Sequence, residues 1–165
     1  MVPCDLTKEY ATEQIEWIVI DVAGNTPIEI YNDIHNKVSH FCRDDISAAC
    51  VYANKIVYFD RAPDISFTVY FPSWSPSSHA TDNAGSYWEH VRKKLCMHEL
   101  GHIEIGLEWR RYVYEELLSE PIPWGLRGTL KYIALQALED AHATYDRVTQ
   151  HGSIGPSWTP PNPSP

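Results

Sequence analysis

The chain has no uninterrupted apolar run near the ~20 residues that a bilayer-spanning helix requires, which excludes a membrane span of that kind. Basic residues are scarce: 13 Lys and Arg stand against 22 Asp and Glu, for a net charge of -9. That balance argues against nucleic acid or an anionic membrane as the main partner, because both select basic surfaces. None of the four cysteines (Cys4, Cys42, Cys50, Cys96) sits in a CxxC pair, which argues against a thiolate zinc ribbon or a thioredoxin-like motif. No internal repeat is visible. The opening residues MVPCDLTKEY lack the basic and apolar stretches of a signal peptide. They read either as a start without one or as what remains after its removal.

What is present fits one globular domain. The 165 residues are 44% apolar and 21% charged, enough for a core and too few for two ordinary domains. The pattern predicts a domain over residues 1–152 and a proline-rich, extended tail over 153–165. Ile15 to Val22 is apolar and β-branched and reads as a strand. Thr26-Pro27 can cap and start a helix running to about Phe41, with Ile30, Ile34, Val38 and Phe41 at helical spacing. Ala49 to Phe59 reads as a strand, broken near Asn54-Lys55. Ile65 to Phe71 reads as another, stopped by Pro72. Ser73 to Gly85 reads as a loop. Ser86 to about Leu118 carries a long helical pattern. A turn from Glu120 to Gly128 leads into a second helix from Thr129 to about Gln150, with Gly152 placed to end it. Strand, helix, strands and a helical hairpin make an α+β domain.

Inside the first long helix stands His98-Glu99-Leu100-Gly101-His102, an HExxH motif. Side chains four apart on a helix lie one above the other, so both imidazoles can reach one zinc ion. Glu99 lies about 100° around the helix from His98, where a carboxylate can take a proton from an attacking water. Trp88, Val91, Leu95, His98, His102, Ile105, Trp109 and Tyr112 recur in steps of three and four. Both histidines therefore lie on the apolar stripe, and two buried histidines want a shared partner. The competing reading is a hydrogen-bonded pair of core histidines with Glu99 in solvent. Gly101 is costly in a helix interior, by roughly 1 kcal/mol against alanine, so close approach of another backbone or of substrate is expected there.

A catalytic zinc site usually has three protein ligands. The extension HExxHxxGxxH is absent, because Ile105 and Glu108 stand at its positions. Glu108 as a ligand would need the helix to break at Gly106, against the spacing that continues to Tyr112. The second helix is the better source. Glu139, His142, Asp146 and Thr149 share one face, beside an apolar face of Leu130, Ala134, Leu138, Ala141, Tyr145 and Val148. An antiparallel hairpin can turn the polar stripe toward His98 and His102. Taken one at a time, each of these four also fits a solvated face. Cys42 and Cys50 are close enough in sequence to bridge a short connection, and an even cysteine count fits disulfides as well as free thiols.

Three stretches resemble a bacterial family, domain of unknown function 922, described as predicted secreted zinc-dependent proteases. They are His98 to His102 with Trp88 ten residues upstream, Tyr145 to Gly152 matching YDxxTxHG, and Phe71-Pro72-Ser73-Trp74, similar to the family's PxW. The first strand, Gly24-Asn25-Thr26 and the following helix also fit that layout. The resemblance spans about Ile15 to Gly152. It implies a zincin-like fold and moves the third ligand to Asp146 or His151, with Asp146 ahead and His142 third. Whichever of Asp146 and His151 does not bind zinc has a second role: Asp146 would orient a ligand histidine, and His151 would stabilise the oxyanion on the attacked carbonyl. Tyr145 is a further donor candidate, though its apolar stripe favours packing.

The expected function is that of a zinc metallopeptidase acting on a peptide or protein. His98, His102 and Asp146 would hold Zn2+, and Glu99 would serve as general base with His151 beside it. An edge strand would hold the substrate, with Trp74 and the loop to Gly85 lining the cleft. The alternatives are a zincin-like binding module with structural zinc and a zinc amidase acting on a non-peptide amide. The even cysteine count and the resemblance favour a secreted or periplasmic protein, while a native start at Met1 would favour the cytoplasm.

Overall fold

The computed structural model describes residue 4 and residues 14–42, 47–118 and 120–150. His151, Gly152 and the tail 153–165 lie outside them. The element order is β1 (Gln14–Val22), α1 (Pro27–Val38), β2 (Cys50–Ile56), β3 (Asp64–Trp74), α2 (Asp82–Tyr112) and α3 (Arg127–Thr149). A π-helical turn at Val113–Leu117 and a 3-10 turn at Trp124–Leu126 join the last two helices. The chain is thus α+β, with a three-stranded sheet in the order β1-β3-β2.

β3 is the centre of the sheet, parallel to β1 and antiparallel to β2. Its alternate residues Ile65, Phe67, Val69 and Phe71 are buried, as a strand with one face on a core requires. Contrary to expectation, β3 runs through Pro72 to Trp74. The ladder with β2 begins at Cys50↔Tyr70, so Pro72 has β1 as its only strand neighbour, and a missing N–H is tolerated at such an open edge. The loop expected from Ser73 is correspondingly shorter. β2 is continuous through Asn54-Lys55, because its pairing with β3 persists to Ile56↔Asp64.

α1 starts as its residues dictate. The Thr26 hydroxyl accepts the Glu29 N–H, and the Glu29 carboxylate accepts the Asn25 N–H at 2.7 Å. Ile30, Ile34 and Val38 are buried, but the helix ends at Val38 rather than Phe41. There the chain tightens, with the Phe41 and Cys42 N–H groups both donating to Val38 O. Cys42 is thereby delivered to Cys50, with which it forms a disulfide; Cys4 is bridged to Cys96 of α2.

α2 begins four residues earlier than its pattern suggested, because Thr81 caps it by accepting the Ala84 N–H. Gly85 is tolerated inside it, with open space where a Cβ would stand. Lower down, Gly106 lets the helix lie directly on the sheet: a Cβ there would come within 2.7 Å of the Phe67 ring. Along the predicted stripe Trp88, Val91, Leu95, His98, His102 and Trp109 are buried, whereas Tyr112 is exposed and Val113 is buried instead. Trp74 is a core residue rather than a cleft wall. Its indole donates to Gly24 O at 2.9 Å and packs against Trp88.

α3 spans Arg127–Thr149, and the left-handed residue that ends it is Gln150 (φ 53°), before Gly152 is reached. Its buried apolar residues are Ala134 and Leu138; Ala141 and Val148 are exposed, against expectation. The apolar seam therefore covers only the N-terminal part of the helix.

Candidate metal centre

The HELGH residues lie within α2, and the i, i+4 spacing sets the His98 and His102 Nε2 atoms 3.2 Å apart. Asp146 arrives from α3, with Oδ1 at 2.8 Å from His102 Nε2 and 3.2 Å from His98 Nε2. Three donor atoms on two helices therefore converge on one point, and separations of this size suit three ligands of one small ion.

The surrounding groups turn the rings the right way. The Thr149 hydroxyl donates to Tyr145 O at 2.7 Å and so accepts from His98 Nδ1–H at 3.0 Å. That proton position leaves His98 Nε2 unprotonated toward Asp146. His102 Nδ1 meets His142 Nδ1 at 2.9 Å. Burial, then the neighbouring His102 and Lys55, push His142 down to about 4, against the opposing pull of Asp146. A neutral His142 can accept from His102 Nδ1–H, and in that tautomer His102 Nε2 is unprotonated as well. His142 thus bonds the far nitrogen of His102 instead of joining the three donors.

Glu99 is 1% exposed, and neither carboxylate oxygen has a hydrogen-bond partner. It does not lie in solvent, as the core-histidine reading required. Burial, and after it the charge of Asp146, raises its carboxyl well above the ordinary carboxylate range. A buried carboxyl without partners is costly, and a cation with its attendant water is the kind of neighbour that would satisfy it.

Gly101 faces Tyr145. A Cβ there would overlap the Tyr145 ring and hydroxyl, so the close approach is made by a side chain of α3. Tyr145 stacks on the His98 ring at 5.2 Å and donates to Met97 O, a packing role on the back of the site. Glu108 is exposed on an unbroken helix and takes no part. Glu139 is exposed and pairs with Lys55.

The donors open onto a cleft of about 640 Å³. Its opposite wall is β2, with the Cys42–Cys50 disulfide at one end and Lys55 at the other. Consecutive β2 residues line it, which is how a strand presents its edge rather than a face. Neither Trp74 nor the loop after it is among the lining residues. Sequence alone does not say which strand forms the edge beside the site, because sheet order leaves no local signature. Lys55 carried no signal either, being a lone lysine at a supposed strand break.

An α+β chain whose two long helices bring two histidines and an aspartate together is a chain that can hold a metal ion. The sequence profile described as "Bacterial protein of unknown function (DUF922)" matches residues 58–152, more than half of the chain, and the chain belongs to that family. No curated protein and no solved structure matches it.

Proposed function

We propose that the protein is a zincin-like, zinc-dependent metallopeptidase. The observation that carries this reading is Glu99: a buried carboxyl with no partner, beside two imidazole nitrogens and a carboxylate oxygen that already converge. The donor set suits zinc, and three protein ligands leave a position open. Zinc held there would supply a Lewis acid that polarises the substrate carbonyl and makes water a nucleophile near neutral pH.

The residues of the chain would do the rest. Glu99, ionised only beside a cation, takes the proton of the attacking water and passes it to the departing amine. Thr149 and His142 hold the two histidines in the tautomers described above. The open edge of β2 takes an extended peptide as an added strand, laying its backbone along the cleft toward His98 and His102. The two disulfides support an oxidising compartment, so we place the working protein outside the cytoplasm.

The test is metal content and peptide hydrolysis in parallel. The parent should carry about one zinc per chain, and His102→Ala should lose it. Glu99→Gln should keep the zinc and lose hydrolysis by about a hundredfold or more. A Glu99→Gln protein as active as its parent would remove the peptidase reading. Zinc retained with no peptide cleaved would point instead to a binding module or to an amidase acting on a non-peptide amide.

A further inference from the structure

We propose that Lys55 forms a carboxylate-recognising subsite of the cleft, masked in the free protein by Glu139. This deepens the peptidase reading, on which it rests for the peptide nature of the ligand. Lys55 is the only Lys or Arg among the described residues lining the cleft of a chain whose net charge is -9. Its ammonium therefore marks one end of the groove with a fixed positive charge. Its side chain is mostly covered, 22% exposed, and its ammonium donates to Glu139 Oε1 at 3.3 Å. Glu139 is 61% exposed and reaches across from α3 to the edge strand. A pair with so exposed a carboxylate is weak, while the covered stem of Lys55 holds its ammonium at the cleft. An incoming carboxylate can replace that of Glu139 on the same ammonium while Glu139 returns to water.

The position gives a register. Glu139 and Asp146 are seven residues apart on α3, two turns or about 10 Å along the axis. An extended peptide covers that distance in about three residues. The preferred carboxylate therefore lies a few residues from the bond at the metal centre. It belongs either to an acidic side chain or to a chain terminus.

The two partners have opposite predicted effects, which separates a subsite from a bridge that merely ties β2 to α3. Zinc-loaded Glu99→Gln protein is titrated with short acetylated, amidated peptide pools carrying a single Glu, Gln or Lys, and with a Gln pool ending in a free carboxylate. A carboxylate pool should bind about tenfold more tightly than the amidated Gln pool, and the Lys pool should be weakest. Lys55→Met should abolish the difference and Glu139→Gln should enlarge it, both in proteins whose melting is first measured. Preference for the Glu pool assigns the site to side chains; preference confined to the free-carboxylate pool assigns it to termini. Equal binding of all pools overturns the proposal, as does weakening of the same sign in both variants. The parent enzyme is given the same pools. Cleavage without carboxylate preference leaves the peptidase reading standing and removes the subsite. Carboxylate preference in binding with no cleavage does the reverse.

Discussion

The contact between α2 and α3 has two halves of different chemistry. In the half nearer the helical turn, Trp109 donates its indole N–H to Ala134 O at 2.6 Å, while Ala134 and Leu138 are buried. In the other half the meeting residues are His98, His102, His142, Asp146 and Thr149, and α3 exposes Ala141 and Val148. The apolar half carries the burial that fixes α3, and the polar half is held by ring-to-ring and ring-to-carboxylate contacts. The lesson is a division of labour. A candidate metal centre made of groups that repel or compete for protons needs an anchor elsewhere along the same helix pair.

The most damaging test of that division is Leu138→Ala. Removing a fully buried leucine should cost about 2–5 kcal/mol, a melting decrease on the order of 5–15 °C for a chain of this size. If the apolar half anchors the site, zinc affinity should fall with it, although Leu138 is not one of the three donors. Unchanged zinc affinity in a destabilised protein would mean that the polar half positions itself.

Next in size is a pH effect confined to the polar half. Glu99 is held well above its ordinary range by burial and by Asp146. Below the unfolded value both states of the metal-free protein keep the proton, and stability carries no penalty from it. As pH rises above that value, the unfolded chain ionises while the folded one stays protonated, so stability falls, at up to about 1.4 kcal/mol per pH unit. Glu99→Gln has no such slope. Metal-free Glu99→Gln should therefore melt close to its parent near pH 4 and clearly above it at pH 7. Saturating zinc should narrow the gap, because a nearby cation favours the ionised carboxylate. A difference independent of pH would contradict the buried, neutral Glu99.

Two glycines of α2 sharpen the comparison further. Gly101→Ala drives a methyl into Tyr145 and should cost about 1–3 kcal/mol, with a disproportionate loss of zinc because Asp146 is the next residue. Gly85→Ala meets only open space and should instead stabilise by roughly 0.5–1 kcal/mol. Equal melting of the two variants would show that Tyr145 yields freely.

Local patterns in the chain carried much of this. The Thr26-Pro27 start, the buried alternation of β3, the HELGH helix and the polar stripe of α3 are all marked by near neighbours in sequence, while the choice of Asp146 within that stripe rests on the family resemblance. Departures arose where a residue's fate depends on distant ones. Pro72 stays in a strand because β2 starts opposite Tyr70 and does not reach it. Val148 continues an apolar spacing yet lies exposed, because α3 meets α2 through its polar stripe at that height. Lys55 and Glu139 are 84 residues apart, and Cys4 and Cys96 are separated by 92. No short-range periodicity encodes such pairs.

The finest test concerns one hydroxyl. Thr149 ends the polar half, accepting from His98 Nδ1 while donating back to Tyr145 O. Thr149→Val keeps the shape and removes the acceptor, so the His98 ring loses what selects its tautomer. Zinc affinity should fall about tenfold, the lower end of what such supporting contacts are worth. Stability of the metal-free protein should change by less than about 1 kcal/mol, since without this acceptor the His98 proton can move to Nε2 and face Asp146. Thr149→Ser restores the oxygen without the methyl and should recover the affinity. Equal loss in the serine and valine variants would assign the role to methyl packing. The polar half of the helix pair would then owe its order to the same apolar contacts as its neighbour.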